Sequence, residues 1–157
     1  MGLFTGIEKA EISERGKYLL PGFIGKLKIK RTLAKDSIKT GLAFIVECEV
    51  VETNGLRDDD GKELYPVGSS VTWYQKMQDR TVAFPAIKAF VAAASGVHPG
   101  DSAGMAEINA EMENILNEAT ENEANNALVG QIVKLETVAT KTKKGYDFTR
   151  HNWSPVG

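Results

Sequence analysis

Two neighbouring stretches of the chain alternate between apolar and charged residues, and this period of two constrains the fold more than any other feature. After the turn signal Pro21-Gly22, lysines alternate with apolar residues and a glycine: Phe23, Gly25, Leu27 and Ile29 against Lys26, Lys28 and Lys30. In the second stretch the apolar residues alternate with positions that include two glutamates: Leu42, Phe44, Val46, Cys48 and Val50 on one side, and Glu47 and Glu49 on the other. Side chains of a strand point alternately to opposite faces, so both stretches are predicted to be strands with one buried face.

The rest of the chain predicts one more strand, then two helices, then two further strands. Val67–Met77 is the third strand, and Pro85 is expected in the first turn of a helix that Gly96 ends. Asp101 or Ser102 is expected to cap a second helix. The last strands are predicted over 128–140 and 146–153, joined by a turn in which Gly145 takes a positive φ.

This order of elements predicts a mainly β protein with α (α+β). We expect an OB-like five-stranded barrel with two helices inserted between strands 3 and 4. With 157 residues the chain is about the size of one domain, so residues 1–157 are predicted to form a single unit with an acidic helical insertion at about 101–125. One cysteine, Cys48, and an N-terminus without the basic and apolar regions of a signal peptide favour a cytoplasmic protein.

The formal net charge of −2 conceals two basic ends around an acidic middle. Residues 1–50 carry a net charge of +3, residues 51–130 carry −8 and residues 131–157 carry +3. From residue 101 to residue 125 there are seven acidic residues and no lysine or arginine. The charge balance therefore does not exclude a polyanionic partner, because the basic segments are separate from the acidic one.

The lysine row of the first strand permits two interpretations. Side chains on one face of a strand lie about 6.6 Å apart, which is close to the phosphate spacing of an extended single strand of nucleic acid. Lys26, Lys28, Lys30 and the adjacent Arg31 are therefore candidate phosphate ligands. Alternatively, these lysines serve solubility and protect a strand edge from pairing.

The last predicted hairpin combines lysines with aromatic side chains. Its turn carries Lys141, Lys143 and Lys144; Tyr146, Phe148 and Arg150 share one face of the following strand, while His151 and Trp153 share the other. Aromatic and guanidinium planes beside a basic loop are typical of surfaces that stack bases and bind phosphates. One of the two faces must belong to the core, so only one aromatic set is expected to be exposed.

The third strand offers a similar choice between neighbouring aromatic residues. Trp73 and Tyr74 are adjacent and must point to opposite faces. We predict Trp73 inside with Val71, and Tyr74 outside with Lys76. All three of Trp73, Tyr74 and Lys76 are kept as candidate DNA-binding residues.

No catalytic constellation emerges from the residues. His98 and His151 are far apart and match no metal-ligand spacing, and the run Asp58–Glu63 fits a solvated hairpin turn better than a calcium loop. A nuclease would require these acids to meet another carboxylate in space. We therefore predict no enzymatic activity, no metal and no cofactor.

Several segments resemble a family of small tailed-bacteriophage proteins that are encoded among replication and recombination genes. The resemblance covers roughly 18–97 and 128–156, and its most specific part is the run KTKKG followed by Phe148-Thr149 and the sequence NWSP at 152–155. The entry VGS at 67–69 before Trp73 is also typical. Members are described as single-stranded DNA-binding proteins with an OB-like fold, so the resemblance implies that fold and that activity.

Together these observations predict sequence-independent binding of single-stranded DNA in phage replication or recombination, in the cytoplasm of the infected host. The lysines would neutralise phosphates and the exposed aromatic residues would stack bases. Phage or host replication proteins are possible partners, a membrane is not expected, and a dimer is the expected assembly. The alternative is a protein-interaction module, a virion component or a modulator of a host factor, whose working surface is the acidic helix.

Overall fold

The computed structural model describes residues 17–38 and 41–156, which form a mainly β protein with two helices. The expectation that the N-terminus is not a signal peptide concerns residues 1–16, which lie outside the described part of the chain. The elements in chain order are β1 (Lys17–Tyr18), β2 (Ile24–Ser37), β3 (Gly41–Thr53), β4 (Ser70–Lys76), α1 (Arg80–Ala94), α2 (Ser102–Glu121), β5 (Ile132–Lys141) and β6 (Asp147–Pro155). Neither α1 nor α2 has the length and apolar character of a membrane-spanning segment.

One six-stranded sheet carries all of these strands in the order β1-β4-β3-β2-β5-β6. Only the short β1 pairs in parallel with its neighbour; the other pairings are antiparallel. The long strand β2 has two neighbours, since residues 24–28 pair with β5 while residues 25–37 pair with β3. The β2–β3 register shifts twice, after Lys26 and around Lys30, and such bulges increase the bend of a sheet.

The sheet curls so far that its distant strands meet through their side chains. Four strand spacings separate β4 from β6, which would be about 19 Å in a flat sheet. Yet the ring centroids of Trp73 on β4 and Trp153 on β6 lie 5.0 Å apart. Phe90 of α1 packs against both rings, at 5.4 and 4.9 Å, so α1 fills the hollow of this half-barrel. We call the face toward α1 the inner face and the opposite one the outer face.

Both helices begin at an aspartate cap. The Asp79 carboxylate accepts a hydrogen bond from the Thr81 amide, and the Asp101 carboxylate accepts one from the Gly104 amide. The prediction that Pro85 lies in the first turn of α1 is therefore wrong, because the cap at Asp79 starts the helix five residues earlier. Gly96 follows the end of α1 with a φ of 76°, as predicted.

The predicted order of elements is largely confirmed, with differences in strand count and boundaries. With the extra strand β1, the described residues contain six strands instead of five, so the helices lie between the fourth and fifth of them. The strand predicted to begin at residue 128 begins at Ile132, because the preceding residues form hydrogen-bonded turns such as the one from the Leu128 carbonyl to the Gln131 amide. Leu42, expected on the buried face of β3, is instead 42% exposed at the start of that strand.

Candidate functional site

The lysines of β2 lie on the outer face, where a row of glutamates on β3 opposes them. Lys26 forms an ion pair with Glu52 at 2.9 Å, and Lys28 lies opposite Glu49 in the strand register. Lys26 and Lys28 each have a carboxylate of β3 as a cross-strand neighbour, so their charge is largely compensated on that side, while Lys134 of β5 lies opposite Lys26 on the other side. The outer face of β2 and β3 is therefore a poor place to attract a polyanion.

Arg31 is the most strongly engaged of these candidate residues. It lies 3.8 Å from a carboxylate oxygen of Glu47 and makes a hydrogen-bonded ion pair with Glu123, beyond the end of α2. Lys30 is the residue skipped by the register shift, since Ile29 pairs with Cys48 and Arg31 with Glu47. The predicted row of three evenly spaced lysines is thus interrupted at Lys30, which is exposed at the bulge.

The β5–β6 turn is built from local hydrogen bonds. The Thr142 amide donates to the Tyr146 carbonyl, the Gly145 amide donates to the Thr142 carbonyl, and Gly145 has the predicted positive φ of 84°. Lys141 forms a 3.4 Å ion pair with Asp147, in which both side chains are well exposed. Lys143 and Lys144 are exposed on the turn itself. A pair as exposed as Lys141–Asp147 contributes little and separates easily.

The two faces of β6 have opposite environments. Tyr146, just before the strand, is 69% exposed, Phe148 is 48% exposed, and Arg150 is exposed as well. Trp153, on the other face, retains only 8% exposure and packs in the core. The aromatic and cationic set that shares the outer face is therefore accessible, while the Trp153 set forms part of the interior.

The neighbouring aromatic residues of β4 divide as predicted. Trp73 is 6% exposed and packs against Phe44, Phe90 and the β6 rings, which leaves no ring face for a ligand. Its inclusion among the candidate binding residues is therefore not supported by its position. Tyr74 is half-buried on the outer face, with its ring 6.5 Å from that of Tyr18 in an edge-on contact, and Lys76 is exposed.

His151 joins the aromatic cluster on the inner side of β6. Its ring stacks on Trp153 with centroids 6.0 Å apart, and its Nε2 is shielded from solvent without a hydrogen-bond partner among the described residues. Burial lowers the pKa of His151 to about 4, although a hydrogen bond to the Thr149 backbone partly opposes this shift. The imidazole is therefore neutral at physiological pH and acts as a packing group.

The acidic segment is bonded to β2 near the end of the lysine row. The hydrogen bonds that join it to β2 involve Arg31 and Thr32: the Thr32 hydroxyl donates to the Ala119 carbonyl at 2.7 Å, and the Thr32 amide donates to the Glu123 carbonyl. Its anchor on β2 therefore lies beyond Lys26 and Lys28. Most of its carboxylates face solvent.

The acidic run 58–63 forms a closed turn. The Asp58 carboxylate accepts hydrogen bonds from the amides of Asp60 and Lys62, and a β-bridge joins Arg57 to Glu63. Within residues 17–38 and 41–156, no three His, Cys, Asp or Glu side chains are placed to hold a metal ion. Burial raises the pKa of the Cys48 thiol, which packs in the core as a small apolar group.

Comparison with known proteins adds no family assignment, since the sequence matches no protein-family model and no curated protein.

Proposed function

We propose that this protein binds single-stranded DNA without sequence preference, mainly through the β5–β6 hairpin. The observation that carries the proposal is the exposed outer face of β6, where Tyr146, Phe148 and Arg150 adjoin a turn bearing Lys143 and Lys144. Aromatic rings stack on any base, and lysines bind phosphates irrespective of sequence. This combination suits a flexible, single-stranded polyanion.

The connectivity of the sheet supports the same surface. Strands β2 to β6, with a helical connection between β4 and β5, follow the order of an OB-like barrel whose closing contact is made by side chains. In OB folds, the second and third strands and the loops 1–2 and 4–5 bind oligonucleotides. Those two strands correspond to β3 and β4 here, and loop 4–5 corresponds to the β5–β6 turn, so Tyr74 and Lys76 on β4 extend the proposed surface.

The roles of the candidate residues follow from their surroundings. Lys141, Lys143 and Lys144 would neutralise phosphates, while Tyr146 and Phe148 would stack bases and Arg150 would serve either purpose. Lys26 and Lys28 contribute less, because binding a phosphate there means releasing the carboxylates of β3. The resemblance to phage proteins supports a role in phage DNA replication or recombination, in the cytoplasm of the infected host.

Fluorescence anisotropy with a labelled oligo-dT of about 25 nucleotides, at about 50 mM salt and upward, tests the proposal. Replacing Lys143 and Lys144 by Ala should weaken binding and reduce the slope of log K against log salt by about 1.4. The matched control replaces Lys62 and Lys88, two lysines outside the hairpin, and should leave the slope unchanged. Absence of binding at low salt, or equal slopes for the two double variants, would refute the proposed surface.

Stacking is tested separately from charge. Tyr146→Ala should cost about 1–3 kcal/mol of binding free energy, whereas Tyr146→Trp should preserve it, because both aromatic rings offer a π-face. The salt slope of Tyr146→Ala should match that of the unmodified protein, since no phosphate contact is removed. If Tyr146→Ala binds as tightly as the unmodified protein, stacking at this position is excluded.

A further inference from the structure

An exposed tyrosine outside the predicted set, Tyr18, lies beside the candidate residue Tyr74. Tyr18 is 55% exposed on β1, and the centroids of the two rings lie 6.5 Å apart with their planes at 81°. An edge-on contact of this kind leaves at least one face of each ring uncovered by the other ring. The two tyrosines therefore form an aromatic pair whose exposed member, Tyr18, can receive a planar ligand.

The backbone of Tyr18 is fixed from two sides. β1 pairs in parallel with β4, which places Tyr18 opposite Thr72. The hydroxyl of the buried Tyr65 donates to the Tyr18 carbonyl at 3.0 Å and accepts a hydrogen bond from the Leu20 amide at 2.8 Å. A ligand that binds to a fixed segment has less ordering to impose than one that binds to a mobile loop. Tyr18 is thus presented in a defined position, although β1 has only two residues.

β1 lies on the edge of β4 that is turned toward β6. The strand order is β1-β4-β3-β2-β5-β6, and the sheet curls until the rings of Trp73 and Trp153 meet at 5.0 Å. The edge of β4 that approaches β6 is therefore the edge that carries β1. Tyr18 is on the outer face there, because its ring contacts that of Tyr74. It consequently lies on the side of β4 next to the outer face of β6, which belongs to the proposed DNA surface.

The charges beside the tyrosine pair permit a polyanion. Lys76 follows Tyr74 by two residues on the same face of β4, is exposed, and forms no ion pair with another described residue. On the neighbouring strand, the carboxylate opposite Thr72 is that of Glu47, which already has the Arg31 guanidinium at 3.8 Å. A phosphate at Lys76 therefore meets a cation without displacing a carboxylate from it, in contrast to a phosphate at the paired lysine of β2.

We propose that a DNA strand bound at the β5–β6 hairpin continues across the line where β6 approaches β4 and stacks a further base on Tyr18, beside Tyr74, with Lys76 binding a phosphate. This inference rests on the proposed function and gives the bound strand a path and an additional stacking residue. The site then has two parts, the hairpin on one side of the line and the tyrosine pair on the other.

The two parts differ in the length of DNA that they need. Residues on one face of a strand lie about 6.6 Å apart, so Tyr146, Phe148 and Arg150 match about three successive nucleotides of an extended strand. Single OB folds bind about 4–16 nucleotides. An oligonucleotide at the lower limit of this range can fill the hairpin part alone, whereas one at the upper limit can reach Tyr18 as well.

Anisotropy with labelled oligo-dT of about 4 and about 16 nucleotides tests the second part of the site. Tyr18→Ala should weaken binding of the longer oligonucleotide at least about fivefold, whereas Tyr18→Phe should preserve it, because the ring is what stacks. Binding of the shorter oligonucleotide should be the same in both variants and in the unmodified protein. Leu20→Ala is the matched control: Leu20 is 54% exposed in the same segment but has no ring, so its loss should leave both affinities unchanged.

Photo-crosslinking provides a readout that a merely structural role of Tyr18 would not produce. The longer oligonucleotide, with a photoreactive iodouracil in place of one thymine at a time, should crosslink to the peptide that contains Tyr18. Absence of this crosslink at every position of the modified base would overturn the inference. Unchanged binding of the longer oligonucleotide by Tyr18→Ala, or equal losses in Tyr18→Ala and Leu20→Ala, would overturn it as well.

Failure of the inference is distinguishable from failure of the proposed function. If Tyr146→Ala weakens binding of both oligonucleotides and Tyr18→Ala weakens neither, the hairpin binds DNA and the path across to β4 is wrong. If the unmodified protein binds neither oligonucleotide at low salt, the proposed function and the inference are both overturned.

Discussion

Neutral His151 inside the aromatic cluster should make stability depend on pH in a defined window. In the unfolded chain the imidazole binds a proton near its ordinary pKa of about 6.5, whereas in the folded protein it does so only near 4. Between these values the unfolded state holds more protons, so the free energy of unfolding falls as the pH falls. Above about 6.5 both states are neutral and this group contributes no pH dependence.

The size of the effect follows from the difference between the two pKa values. Linkage gives a loss of about 2 kcal/mol between about pH 7.5 and pH 5, and about 3 kcal/mol when the pH falls below 4. The upper interval is the informative one, because most carboxylates remain ionised there. Urea unfolding followed by tryptophan fluorescence at the two pH values measures the loss.

Variants isolate His151 from the other titrating groups. His151→Phe removes the titration and retains an aromatic ring against Trp153, so its loss of stability between the two pH values should be smaller by about 2 kcal/mol. The exposed His98 provides the matched control, since His98→Gln should keep the loss seen in the unmodified protein. If His151→Phe shows the same loss as the unmodified protein, the imidazole is not held neutral by the fold.

Three further substitutions test the packing that positions the site, each by urea unfolding at neutral pH. Phe90→Ala should cost about 3–5 kcal/mol, because the ring fills the hollow of the half-barrel and is fully buried. Thr32→Val should cost about 1–3 kcal/mol, since it removes the buried hydrogen bond that holds the end of α2 to β2. Gly25→Ala should lower the free energy of unfolding most for its size, because a Cβ there would lie 2.1 Å from the Glu52 carbonyl oxygen. Gly100→Ala is the control and should be nearly neutral, since a Cβ at that position meets open space.

The sequence was sufficient to predict the elements whose signals are local. Alternation predicted the inner and outer faces of β2, β3 and β4, including the inward position of Trp73, because the period of two is a property of each strand alone. Capping chemistry identified Asp101 as one of two possible caps. The prediction placed the start of α1 too late because it relied on the preference of proline for the first helical turn. Asp79, before Arg80-Thr81, was a usable cap signal.

The pairing of the β2 cations with glutamates of β3 could not be predicted from either strand alone, because it depends on how the two strands align. Glu47 and Glu49 were assigned to the polar face of the second strand, but their alignment with Arg31 and Lys28 depends on two register shifts. Bulges are set by the packing of the curled sheet, not by a local residue pattern. The sequence alone therefore made β2 look more basic than it is. The β5–β6 hairpin became the stronger candidate for DNA binding only when the exposure of its side chains was known.

The meeting of β4 and β6 through indole rings has a consequence for how the molecule opens. These strands are not hydrogen-bonded neighbours, so they can separate without breaking a backbone hydrogen bond between them. Opening at this line would break the contacts of the rings with one another and the packing of α1 against them, and local openings can draw on less free energy than global unfolding. Both tryptophans of the chain lie at that line, so tryptophan fluorescence should report its opening.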